Sequence, residues 1–229
     1  MDSKLNNNEM PQELENKDIV QGTDQSLDRF TEFETKYRVD GKLEQPFKNL
    51  VMSLEKDLGK WDFTYAEGPD HYYTKSDGSF GRYRKAINQK MSWWTMKEKP
   101  LGAKHNVKRK EVNWRVDGTT FETIEAGALM QGYDFNFKIW KSCHIYKFKE
   151  TTFVFYRVTD DYNNQDHFIE IELDEDTIHN LTENEAWDKI RKYEKMLESL
   201  GISHRNRITK SLFEMYKKDI YGKEKEKTL

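Results

Sequence analysis

Cysteine is nearly absent: Cys143 is the only one in 229 residues. A single thiol excludes an intrachain disulfide and a thiolate metal cage, and it fits a reducing, cytoplasmic setting. Long apolar runs are missing too. Nowhere do about 18 apolar residues run together, and the amino terminus lacks an apolar core of signal-peptide length, so membrane spanning and secretion are not expected. There is no excess of one charge. Lys and Arg number 38 against 41 Asp and Glu, giving a formal net charge of −3. No global basic field therefore draws the chain to nucleic acid or an anionic membrane. The histidines, His71, His105, His144, His167, His179 and His204, include no pair at metal-ligand spacing. Gly78 and Gly81 are too few for a phosphate loop. Zinc chemistry, a His-based triad and a P-loop all lack support.

What is present is charge in near parity with hydrophobicity, 34% against 35%, with 14% aromatics. That ratio suits an interior that is partly polar, with large rings supplying the buried area. Residues 1–26 are rich in Asn, Gln, Asp, Glu and Lys without periodicity and read as a disordered tail, as do the charged residues 222–229. One domain is expected over 27–221.

Alternation of side chains predicts strands near 30–38, 61–66, 70–75, 80–86, 91–98, 106–116, 133–149 with an interruption, 152–158 and 166–173. Helices are predicted from Pro46 to Leu58, over 119–129, from Thr182 to a Gly201 cap, and over 205–221. Thr182 with Glu185 has capping-box spacing. Many strands with a few packed helices argue for a β-rich α+β domain, most simply a barrel.

The alternation carries the chemistry. In Glu32-Phe33-Glu34-Thr35-Lys36-Tyr37-Arg38 the ionised residues share one strand face. Glu170 and Glu172 do the same on the last strong strand. Between them, Arg82 and Arg84, Lys97 and Lys99, Arg109 with Glu111 and Arg115, and Lys147 and Lys149 repeat the pattern, and Arg157 ends another strand. Each pair alone suits a solvated face. Recurrence across strands, with mixed signs, points to faces turned inward around one charged cavity. Glutamates there offer only oxygen ligands and favour a hard cation, Mg²⁺ or Mn²⁺. Arg forks and Lys ammonium groups suit phosphate oxygens. Of Trp93 and Trp94, at most one can face a nucleobase, because consecutive strand residues point to opposite sides.

These residues resemble the CYTH superfamily, or triphosphate tunnel metalloenzymes. Glu32-x-Glu34-x-Lys36 matches its opening signature. Tyr72-Tyr73, Arg82-x-Arg84, Thr95-x-Lys97, Arg109-x-Glu111, Lys147-x-Lys149 and Glu170-Ile171-Glu172 follow in the family's order, and Leu200-Gly201-Ile202 leads to Arg207-Ile208-Thr209-Lys210-Ser211. The resemblance covers about residues 29 to 221. It implies an eight-stranded antiparallel barrel, helices packed outside, with a lumen that binds triphosphate. It implies Glu32, Glu34 and Glu172 as metal ligands, and Lys36, Arg82, Arg84, Lys97, Arg109, Lys147 and Lys149 as phosphate contacts. Glu170 or Glu111 would orient the attacking water. Asn113 departs from the family pattern, where an acid is usual, Lys149 stands where Arg is commoner, and Arg157 stands where Asp is often found. The implied activity is metal-dependent hydrolysis of inorganic triphosphate, a nucleoside triphosphate or an RNA 5′-triphosphate end. An adenylyl cyclase of the same fold and a non-catalytic binder of a triphosphorylated ligand are the alternatives. No membrane partner is expected, and monomer and homodimer are both open.

Overall fold

A computed structural model describes residues 28–31, 33–97 and 110–221. The order is β1 (Asp28–Thr31), β2 (Glu34–Val39), α1 (Glu44–Ser53), one-turn α2 (Glu55–Leu58), β3 (Asp62–Thr74), β4 (Phe80–Ala86), β5 (Met91–Lys97) and β6 (Lys110–Arg115). It continues with α3 (Phe121–Met130), β7 (Asp134–Lys147), β8 (Thr151–Thr159), β9 (Gln165–Leu173), one-turn α4 (Glu175–Ile178), α5 (Glu183–Leu197), β10 (Arg207–Ile208) and α6 (Leu212–Tyr216).

The fold is α+β, as expected, and every ladder is antiparallel. The expected closed eight-stranded barrel is corrected. The sheet is ten strands in the order β1-β6-β5-β4-β3-β7-β8-β9-β2-β10, and it does not close on itself. Its two margins are tethered covalently. Asp28–Thr31 pairs with β6 at one margin, and Glu34–Val39 pairs with β9 near the other, with only two residues between the segments. At about 3.3–3.6 Å per residue that link holds the margins close, so the sheet is curled around a central space.

Which face turns inward follows from where the helices lie. Tyr37, Tyr146, Phe153, Phe155, Ile169, Ile171 and Leu173 are buried against Phe47 and Val51 of α1 and Ala186, Ile190, Tyr193 and Leu197 of α5. These side chains occupy the outer face of β2 and β7–β9. With a two-residue period, the alternate positions Glu34, Lys36, Glu170 and Glu172 are left facing inward. The apolar stripe of α5 is anchored as the sequence predicts, by a complete Thr182–Glu185 capping box and by Gly201 at φ 75° beyond the helix end.

Four elements differ from the sequence reading. The single strand expected near 30–38 is divided between β1 and β2, which pair with β6 and β9 respectively. Segments 61–66 and 70–75 are one continuous strand, β3, running through Gly68-Pro69. Gly68 permits this: at φ +155° its backbone lies against the Lys85 carbonyl, where a Cβ would sit only 1.8 Å from the oxygen. β7 is likewise uninterrupted. The long final helix is absent. Arg207 and Ile208 instead pair with Tyr37 and Lys36 as β10, which leaves α6 a helix of 5 residues.

Candidate functional site

The curled sheet encloses a cavity of about 430 Å³. Lys36, Arg82, Arg84, Lys97 and Lys141 line it together with Glu34, Asp70, Glu111, Glu170 and Glu172. Register accounts for their meeting. Glu34 is paired with Glu172 and Lys36 with Glu170 across β2 and β9. Asp70 faces Arg84 across β3 and β4, and Lys97 faces Glu111 across β5 and β6.

Each group of charges has its own geometry. Lys36, 4% exposed, lies 2.9 Å from Glu170 and 3.5 Å from Glu34. Tyr156 donates its hydroxyl to Glu170 at 2.7 Å. Burial pushes the Glu170 carboxyl up, but Lys36 and then Lys141 outweigh it and hold it below the usual carboxylate range. Glu172 goes the other way. Burial raises it first, and the neighbouring Glu34, Glu111 and Glu170 raise it further.

Arg84 holds Asp70 through two parallel bonds of 2.9 and 2.7 Å. Lys97 is ion-paired with Glu111. Arg82 donates to Thr95 at 3.2 Å, and Thr95 donates to Asn113 at 2.6 Å. The Arg82 Nε is buried and makes no hydrogen bond within the protein. A buried donor in that condition is costly unless a ligand accepts from it. Lys141 sits 3.9 Å from the centre of the Tyr156 ring, and burial lowers the proton affinity of its amine.

The two ends of the cavity are unlike. Tyr72, Phe80, Leu212 and Phe213 form one wall, all at most 6% exposed, with Phe213 stacked on Phe80 at 4.3 Å and 8°. Thr64, Ala66, Met91, Trp93 and Ile145, each partly exposed, line the opposite end of the same strands. Of the tryptophan pair, Trp93 lines the cavity and Trp94 is buried in the core beside Tyr73 and Tyr133.

Eight residues singled out from the sequence thus meet in one space: Glu34, Lys36, Arg82, Arg84, Lys97, Glu111, Glu170 and Glu172. Glu32 and Arg109 lie outside the described residues. Lys147 and Lys149 do not line the cavity. Lys147 is 60% exposed and pairs with Asp174 at 3.0 Å, Lys149 is exposed just beyond the end of β7, and Arg157 is also exposed. Lys141 and Asp70 were not read from the sequence. The signal for Lys141 was its place two residues before Cys143 on an otherwise apolar alternation. For Asp70 it was the two-residue step to Tyr72.

Among the described residues, no three Asp, Glu, His or Cys side chains converge as a ready-made metal cluster. The donor chemistry nevertheless fits a hard cation. Glu34 and Glu172 are opposed oxygen donors, and the crowding of carboxylates that raises Glu172 is relieved by positive charge. Magnesium is commonly held by one or two carboxylates, with phosphate oxygens and water completing its shell.

No protein-family model and no curated protein matches the sequence. Solved structures do match. A conserved hypothetical protein from Pyrococcus furiosus has a TM-score of 0.60 at 22% identity, covering 81% of this chain and 99% of that one. An adenylate cyclase candidate from Vibrio parahaemolyticus has a TM-score of 0.58 at 16% identity, covering 82% and 98%. A Hippeastrum adenylyl cyclase candidate with a dominant triphosphatase activity has a TM-score of 0.52 at 15% identity, covering 80% and 93%. These structural neighbours are CYTH-type proteins, and this chain has their fold.

Proposed function

We propose that this chain is a divalent-metal-dependent triphosphatase that binds the triphosphate in its central cavity and hydrolyses the terminal phosphate. The observation that carries the reading is the convergence of Lys36, Arg82, Arg84, Lys97 and Lys141 with Glu34, Glu111, Glu170 and Glu172 in one 430 Å³ space. A Mg²⁺ or Mn²⁺ ion held by Glu34 and Glu172, and by Glu32 if the family pattern holds there, would neutralise charge on the phosphate oxygens. Arg82, with its unused Nε donor, and Lys97 bind the phosphoryl oxygens and offset charge as it shifts in the transition state. Arg84 and Lys141 hold the remaining phosphates. Glu170 orients the water. Its depressed proton affinity, set by Lys36, suits an orienting acceptor better than a base that must take up the proton. Tyr156 fixes its carboxylate in place.

The test is phosphate release from tripolyphosphate and nucleoside triphosphates with Mg²⁺ or Mn²⁺. Glu34→Ala and Arg82→Ala are each expected to lose at least ~10²-fold in rate, given that one oxyanion donor or metal contact is worth several kcal/mol. Wild-type turnover indistinguishable from both variants ends the reading. Cyclisation is a second reading, favoured by the cyclase descriptions carried by neighbours of this fold. Product analysis on ATP separates the two: ADP and phosphate for hydrolysis, cyclic AMP and pyrophosphate for cyclisation.

A further inference from the structure

One end of the cavity carries chemistry that a bare polyphosphate does not use. Along β5 the inward positions run Lys97, Thr95, Trp93, Met91, so charge gives way to apolar surface within one strand. Ala86 is opposite Met91 on β4, Ala66 and Ile145 continue the same collar on β3 and β7, and Thr64, Glu67 and Lys85 complete its rim. A terminal phosphate placed there would meet methyl, thioether and indole groups beside the Glu67 carboxylate, and of the rim residues Lys85 alone would attract it. A flat, weakly polar ring would gain from the same surface.

Trp93 is the largest piece of it. Its register partners are Arg84 and Arg115. The Arg115 guanidinium lies 5.7 Å from the indole centre and is itself ion-paired with Asp117. The indole is therefore braced from the β6 side while still facing the cavity. Trp93 lies four residues from Lys97, about 13 Å at ~3.3 Å per residue, a length of the order that a triphosphate and a sugar span together. The opposite end offers no such seat, because Phe80, Leu212 and Phe213 already fill it.

Resting on the triphosphate reading, we infer that the natural ligand is a nucleoside triphosphate whose base stacks on Trp93 in the apolar collar, with its phosphates directed towards Arg82 and Lys97. Trp93 sets the preference for a base-bearing ligand over an inorganic one. Stacking tolerates any base, since each has a π-face, so the collar selects for a ring and not for one base.

Two ligands that differ only in the base decide the matter: adenosine 5′-(β,γ-imido)triphosphate and ribose 5-(β,γ-imido)triphosphate, titrated calorimetrically in Mg²⁺. The wild-type chain is expected to bind the adenosine compound roughly 5- to 100-fold more tightly. That ratio collapses towards one in Trp93→Ala and is largely recovered in Trp93→Phe. Equal affinity of the wild-type chain for both compounds, or an unchanged ratio in Trp93→Ala, overturns the base seat and leaves the triphosphate reading standing. Failure of both compounds to bind removes the two together.

Discussion

Arg84 and Asp70 face each other across β3 and β4 and are joined by a two-pronged ion pair inside the cavity, where Asp70 has no exposure to solvent. Burial alone would raise the Asp70 carboxyl, yet Arg84 outweighs it and holds the group below the usual range. The same contact raises Arg84 against its own desolvation. The arginine thus both neutralises Asp70 and lines the cavity.

The first prediction concerns that double duty. Arg84→Ala leaves a buried carboxylate without its partner and is expected to lower stability by on the order of 3 kcal/mol. The double variant Asp70→Asn, Arg84→Met should recover most of the loss, because the uncompensated charge is gone. Urea midpoints of the three proteins check this, and equal loss in the single and double variants would contradict it.

The second sets Lys141 against Lys147. Lys141 lines the cavity and lies against Tyr156, whereas Lys147 pairs with Asp174 outside it. Lys141→Ala should weaken tripolyphosphate binding by about 10- to 100-fold, the worth of one charged hydrogen bond. Lys147→Ala should change it less than about 3-fold. Calorimetric titration of both variants gives the comparison, and the reverse ranking would refute the placement.

The third is a pH dependence. His71 stacks on Phe121 at 3.9 Å, and burial, then Lys138, holds its imidazole down at about 4. Between about pH 6.5 and 4 the unfolded chain binds a proton there that the folded chain does not. Stability from this group is therefore full above pH 6.5 and is lost as pH falls towards 4, by on the order of 2–3 kcal/mol. The difference in urea midpoint between wild type and His71→Phe, measured at pH 4.5 and pH 7, isolates the group from the carboxylates. A difference that does not change with pH would rule it out.

The fourth concerns the end wall. Phe213 is 6% exposed and stacks on Phe80, with Tyr72 and Phe137 also near it. Phe213→Ala should cost about 3–5 kcal/mol by leaving a void. A loss below about 1 kcal/mol in chemical denaturation would mean that the wall is loosely packed.

The inner face was legible because a two-residue period needs only a short segment to declare itself. Glu34 with Lys36, Glu170 with Glu172 and Arg82 with Arg84 each show charge and bulk in strict alternation, and helices on the outer face fix which alternate turns inward. Lys141 was hidden for the opposite reason. On its own strand face Lys141 is flanked by Ile139 and Cys143, while Lys147-x-Lys149 offered a louder pattern on the same parity. β7 ends at Lys147, and Phe148 is buried in the outer core, so that louder pair lies at the end of the strand. Asp70 was obscured by Gly68-Pro69, which reads as a break until the contact with Lys85 shows why glycine is needed within one strand. The final helix failed on tertiary grounds. Tyr37 and Lys36 offer the last strand partner to Arg207 and Ile208, and Glu194 ion-pairs with Arg207 across from α5. Local helical spacing could not reveal that competition.

The end wall built by α6 has a bearing on how the chamber can be used. Its short helix is pinned by Tyr216 to Asp166 at 2.5 Å, and Asn136 exchanges two bonds with the backbone of Lys218 just beyond it. On the proposed triphosphate reading, a ligand entering past Trp93 would run up against Phe80 and Phe213 among the described residues, so the depth of the chamber would limit how many phosphates it takes in at once.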